Sequence, residues 1–293
     1  MPNTRDIRRR IKSVRNTAQI TKAMQMVASS KMRKAQQAAL AGRPYAALMN
    51  NVLAAVAAHA GDFAHPLMQP REVKKRCLIV VSTDKGLCGA LNSNLLREAA
   101  RLDKNTTVYV TAGRKASQFI ARTKRNLAAE FIYKDSPLFS EARAISRFAQ
   151  ESFLKGEVDR VDVLFTNFIS TLAQRAESRP LLPIGEIKAV EAGVHGAGGE
   201  ARLEQSGIEY LFEPNAEQVF GALLPHYLSF QVYQILLEAK ASEHSARMVA
   251  MKNATDNANQ LIKDLTLEYN KMRQASITKE LLEIATAQMA MGN

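Results

Sequence analysis

"CLIVVSTDKGLCGALNS", residues 77–93, is an apolar run followed by a glycine-bearing turn and the start of an amphipathic stretch. Read as a buried strand, a tight turn and a helix, it decides the class of the whole middle of the chain. Strand and helix signals alternate from there to about residue 213. "CLIVVST", "TTVYVTA", "AAEFIY" and "VDVLFTNF" are short β-rich runs, and "SNLLREAARL", "RKASQFIARTKR" and "SEARAISRFAQESFLK" are amphipathic helices between them. This alternation predicts a Rossmann-like α/β domain over 76–213 with a largely parallel sheet. "GVHGAGGEARLEQSG" reads as a loop and "IEYLFE", 208–213, as a last strand.

A strand, a glycine turn and a helix is also how many proteins hold phosphate. A Walker-type loop needs Gly, four residues, then Gly-Lys-Ser/Thr, because the lysine neutralises phosphate and the hydroxyl holds the metal ion. Here Gly86 and Gly89 are followed by Ala90, Leu91 and Asn92, and the three-glycine dinucleotide fingerprint is missing. The glycines therefore read as a turn, Asn92 or Ser93 as a helix N-cap, and the loop as no nucleotide site. The five histidines, His59, His65, His195, His226 and His244, lack metal-ligand spacing with one another or with Cys77 and Cys88. Cys88 reads as a buried thiol without a partner base. No catalytic residue, metal or cofactor is expected.

The flanks of this domain are helical. Ile7, Ile11, Val14, Ala18, Thr21, Gln25, Ala28, Met32, Ala35 and Ala39 recur in alternating steps of four and three, a heptad seam. Residues 3–58 read as helix nearly throughout, roughly 80 Å at 1.5 Å per residue. Residues 59–75, with Gly61, Pro66 and Pro70, read as a linker. The last segment, 214–293, is helical again, with Pro225 as a kink or fresh start. A second seam is expected at Ala254, Ala258, Leu261, Leu265, Glu268, Met272 and Ala275. The economical arrangement is an antiparallel coiled coil of the 1–58 and 214–293 helices with the α/β domain inserted between them. Such a rod carries apolar faces that need a sleeve of other protein chains.

Composition narrows the choice further. The 293 residues are 46% hydrophobic but only 6% aromatic, with no Trp, which suits a helix-rich globular chain. Two cysteines supply no disulfide framework and favour a reducing compartment. The formal net charge is +12, and residues 1–43 hold eleven Lys/Arg against the single acid Asp6. That segment fits a transit peptide, a nucleic-acid arm or a surface for an acidic protein. No apolar run has the length of a membrane span.

Three stretches carry a resemblance. "ITKAMQMVASSKMRKA" (20–35), "GLCGALN" (86–92) and "SEHSARMVAMKNATDNA…YNKMRQASITKELLEI" (242–284) resemble, in order, the γ subunit of the F-type ATP synthase. The chain departs from that family's pattern at Ala287 and Gln288, where Gly-Ala is usual, and at Ala90, where a second glycine is common. The resemblance implies a central rotor shaft that couples proton-driven rotation of a c-subunit ring to ATP synthesis in a head of three α and three β subunits. It implies a non-catalytic subunit, bound peripherally on the cytoplasmic face of the bacterial inner membrane. Its partners would be the α, β and ε subunits and the c ring. By the same resemblance Met24, Arg273, Gln274, Thr278 and Glu280 would meet β, with the two regions forming one functional zone. Tyr210, Glu213, Leu87 and Cys88 would belong to the foot that meets the c ring and ε. Residues 281–293 would form an apolar bearing tip, and the basic first helix would suit an acidic loop of β. The alternative from another class is a basic coiled-coil nucleic-acid-binding protein.

Overall fold

The computed structural model describes residues 4–59, 65–185, 213 and 215–291. The chain separates into two compact units, one of Met1–Val27 with Met248–Asn293 and one of Ala28–Arg247. The elements in order are α1 (Thr4–Ala41), α2 (Arg43–His59), a short 3-10 turn (Pro66–Met68), β1 (Arg76–Val81), α3 (Leu91–Arg101) and β2 (Thr107–Ala112). Then follow α4 (Arg114–Arg122), β3 (Asn126–Phe131), α5 (Phe139–Leu154), β4 (Arg160–Phe168), β5 (Gln174–Leu182) and α6 (Ala216–Met291).

In the larger unit a five-stranded sheet runs β3-β2-β1-β4-β5. Strands β1 to β4 are parallel and β5 is antiparallel to β4. Both faces of the inner strands are covered, which is why they read as unbroken apolar runs rather than alternating ones. Leu78, Val80 and Tyr109 pack with Leu95 and Ala99 of α3 and Ala116 and Ile120 of α4. The other face, with Cys77, Ile79, Val81, Val163 and Phe165, packs with Ile145 and Phe153 of α5, Leu53 of α2 and Leu228 and Leu236 of α6. The helices that flank the domain in sequence thus form one of its layers. The expected α/β class holds, with β5 an element that the sequence reading missed. The expected strand at 208–213 lies outside the described residues apart from Glu213.

The first helical segment is not one helix. Gly42 interrupts it, because α2 restarts beside Gln234 and a Cβ at residue 42 would run into that side chain. Pro225, in contrast, does not end its helix, and α6 continues through it. The ring removes one hydrogen bond, while the Pro225 carbonyl accepts 2.8 Å from Ser229 Oγ. Antiparallel pairing is visible in matched steps: Ala35 packs against Ala241, and Gly42, seven residues on, against Gln234, seven residues back.

In the smaller unit Thr21 and Thr255 share a buried 2.7 Å hydrogen bond between hydroxyls. All ten predicted seam positions of α1 are buried or half-buried. The predicted α6 seam is only partly right. Ala258 and Leu265 are buried, but Leu261, Glu268 and Ala275 are exposed. The covered positions are Met251, Thr255, Ala258, Ile262, Leu265, Tyr269 and Met272, with the predicted Ala254 half-buried beside them. Steps of four and three persist, with the four-residue step placed after Ala258 rather than after Ala254, so the stripe passes through Ile262 and Tyr269.

Candidate functional site

Open α/β sheets bind ligands beyond the carboxyl ends of the strands, where the strand order reverses. Here that point lies between β1 and β4, and the loop after β1, residues 82–90, stands at it. The loop uses its polar groups on its own neighbours. Asp84 Oδ1 accepts from the Arg114 backbone N–H at 3.0 Å, the Thr83 carbonyl from Lys115 N–H at 3.1 Å, and Ser82 Oγ from Ala116 N–H at 2.9 Å. The first three donors of α4 are therefore filled.

The predicted N-cap at Asn92 or Ser93 is corrected, since both lie inside α3. Ala90 occupies the cap of α3, and the Asn92 amide donates to Thr83 Oγ1 at 2.8 Å and to Cys88 Sγ at 3.3 Å. These bonds tie the turn to the strand end. Cys88 is buried, and burial pushes its thiol pKa up despite the Arg247 charge. Leu87 is the opposite case. It is 61% exposed and holds φ +62, a conformation that branched and bulky side chains rarely take.

What fills the switch point is α6. From Ile235 to Ser245 its residues are buried without a break. Ser242 Oγ donates to the Thr166 carbonyl at 2.9 Å, and Ser245 Oγ to the Thr171 carbonyl at 2.8 Å. Arg247 donates to the Gly86 carbonyl at 3.2 Å and pairs with Glu243 at 2.8 Å. A phosphate loop turns N–H groups outward, whereas this one turns carbonyls towards a guanidinium. The buried Lys240 pairs with Glu243 at 3.0 Å and Asp135 at 3.6 Å, and sits 4.6 Å from the Tyr133 ring centroid. Lys31 of α1 also pairs with Asp135. Its hydrogen bond, helped by the Lys240 charge, holds the Asp135 carboxyl below the usual range against partial desolvation. His244 is pushed down to about 4, mainly by burial, with Arg247 and Lys240 adding to it and Glu243 opposing. Sequence reasoning missed this cluster. Charges at 238, 240 and 243 look like a solvated helix face until the loops that surround them are known.

The smaller unit ends in an uncovered helix. Beyond Met272 every α6 residue to Met289 is exposed, including Ile277, Leu281, Leu282, Ile284 and Met289. Arg273, Gln274, Thr278 and Glu280 all lie on this stretch, where Glu280 accepts from Ser276 Oγ at 3.2 Å. Met24 is half-buried on α1. The Thr21–Thr255 contact places Met24 about level with residue 252, so Arg273 lies roughly 30 Å farther along at 1.5 Å per residue. Met24 and Arg273 thus stand at different heights along the helix pair. Glu213 is exposed, and Tyr210 lies outside the described residues.

Comparison with known proteins agrees across the full length. A family model described as ATP synthase matches residues 3–291. An ATP synthase gamma chain of Opitutus terrae is 52% identical over 292 residues, covering 99% of each chain. One from Methylacidiphilum infernorum is 46% identical over 297 residues, covering all of both. Among solved structures, the central stalk and c-ring of the Tetrahymena thermophila mitochondrial ATP synthase aligns with TM-score 0.58 and 25% identity, covering 80% of this chain and 99% of that one. The rotor of the Euglena gracilis enzyme gives TM-score 0.65 at 18% identity, over 94% and 98%, and shows the shared fold. On these matches the chain belongs to the ATP synthase gamma chain family.

Proposed function

We propose that the chain is the central rotor shaft of an ATP synthase, coupling rotation of a c-subunit ring to ATP synthesis in an α/β head. The observation that carries the reading is α6 itself, one helix that is buried on all sides at residues 235–245 and bare on all sides beyond residue 272. A bare helix with exposed Ile277, Leu281, Leu282 and Ile284 offers an apolar surface suited to a sleeve of other chains. The solved relative from Tetrahymena is a central stalk with its c-ring, which supports the same assembly here. Residues 1–58 and 214–293 serve as shaft, 76–213 as foot, and 59–75 as the link.

The residue assignments follow from exposure and resemblance. Arg273, Gln274, Thr278 and Glu280 meet β from the bare stretch of α6, and Met24 meets it separately from α1. Leu87, exposed and strained, and Glu213 offer foot contacts to ε and the c ring. Cys88, buried next to Leu87 in the chain, and Tyr210 belong to the same foot. The basic α1 faces an acidic surface of β, where each exposed pair adds little energy but favours the right orientation. The whole-length family match leaves the nucleic-acid reading of that helix without support. The subunit performs no chemistry of its own. It acts by biasing the conformational equilibria of β, held peripherally at the cytoplasmic face of a bacterial inner membrane. Among the described residues no helix is long and apolar enough to cross a membrane, so attachment goes through partners.

The test is to co-express the tagged chain with α, β and ε and watch a bead on the foot during ATP hydrolysis. Co-purification and stepwise rotation support the shaft. A stable head that turns over ATP without this chain moving would overturn it. Calorimetry on the isolated chain should show no micromolar ATP binding, since Gly89 is followed by Ala90, Leu91 and Asn92 and lacks the lysine and hydroxyl that hold phosphate and metal.

A further inference from the structure

We propose that the polar collar around α6 residues 238–247 is the clutch by which the foot grips the shaft against twisting, with Lys240, Glu243 and Asp135 as its positioning residues. This inference rests on the rotor reading and adds where torque enters the helix. Burial of apolar surface is itself non-directional, so it favours no single angle about the helix axis. Hydrogen bonds and ion pairs are tied to direction and distance. The collar places them on two opposite sides of the helix. Glu238 faces Arg179 of β5 at 3.7 Å. Lys240 faces Tyr133 and Asp135 of the loop after β3. Ser242 and Ser245 bind the end of β4 and the turn after it. Glu243 and Arg247 close on the loop after β1 through the Gly86 carbonyl.

A helix advances 100° per residue, so slippage by one position would move every one of these groups off its partner at once. Lys240 and Glu243 would then be buried and unpaired, which is far less favourable than never having been charged. The energetic logic is that of a spline. The charges need not raise the stability of the resting fold, but they make intermediate angles expensive. A stretch chosen only for stability would be better served by apolar side chains of the same volume.

The test uses the assembled complex with the head fixed and beads on both the foot and the α6 tip, comparing angular fluctuations between them. Asp135→Asn, at the half-exposed rim of the collar, and Lys240→Met, which keeps volume without charge, should each widen the relative angular variance about twofold or more. ATP hydrolysis by the head should stay at the wild-type rate while proton pumping against a gradient falls. Asp135→Glu should restore stiffness where Asp135→Asn does not. If Lys240→Met fails to assemble, the Asp135 pair decides. Unchanged variance with rotation intact would overturn the clutch and leave the shaft standing. A wild-type complex in which this chain does not turn against β would overturn the rotor reading instead.

Discussion

Gly113 occupies a position that only glycine can hold. It sits at φ +106 just before α4, and a Cβ there would strike the carbonyl oxygen of Ser82. The close approach is what lets Ser82 cap α4 while its carbonyl accepts from Tyr133 at 3.0 Å. Gly113→Ala should therefore destabilise the chain by roughly 2–4 kcal/mol, read as a lower urea midpoint with unchanged slope. His244 makes a second prediction. Its folded pKa of about 4 lies below the ordinary 6.5, so below pH 6.5 the unfolded chain binds a proton that the folded chain refuses. Stability is complete above pH 6.5 and declines as pH falls towards 4, by at most about 3 kcal/mol from this group. His244→Gln should flatten that limb of the stability curve. An unchanged slope between pH 6.5 and 4 would show that His244 is not the group responsible. Asp135 acts in a different window, since its lowered pKa keeps its contribution until more acid conditions.

At the scale of elements, the strands most legible in the sequence were those buried on both faces, because Cys77–Val81 and Val161–Phe165 have no other reason to be so apolar. Strand β5 was illegible for the converse reason. Its Arg175, Glu177 and Arg179 look like loop, and Pro180 argues against a strand, yet an edge strand tolerates both. Those charges are in use: Arg179 pairs with Glu177 at 2.7 Å and stacks over Phe165 at 4.7 Å. The α1 seam was read correctly because its alanines leave one stripe to choose from. On α6 two stripes compete, one through Leu261 and one through Ile262, and only the partner helix decides. Alanine scanning separates them. Leu265→Ala, at a 5% exposed site, should lower the melting stability by about 2–3 kcal/mol, whereas Leu261→Ala, 38% exposed, should lower it by less than about 1 kcal/mol. Equal losses at both sites would mean that the helix is turned from the register described.

Across the whole molecule, a single helix, α6, carries both the gripped stretch and the bare end, so foot and head are addressed by different residues of one element. The contacts proposed for the head are themselves separated. Met24 presents a flexible, uncharged thioether from α1, and Arg273 and Gln274 present hydrogen-bond donors from the bare part of α6. Roughly 30 Å of helix lies between them by the Thr21–Thr255 register. A loop of β small enough to engage one does not engage the other at the same instant. The two proposed contacts therefore fall at different heights of the sleeve, and their energetic effects should be independent. Met24→Lys would add a cation towards an acidic surface and strengthen a contact in the wrong state. Arg273→Ala with Gln274→Ala would remove a catch. Each change should lower ATP synthesis in membrane vesicles while the complex still assembles. Combined, their logarithmic losses should add to within about 0.3–0.5 kcal/mol, as for sites more than about 10 Å apart. A combined variant no worse than the poorer single one would mean that one loop serves both positions, and the separation along the shaft would then have no functional meaning.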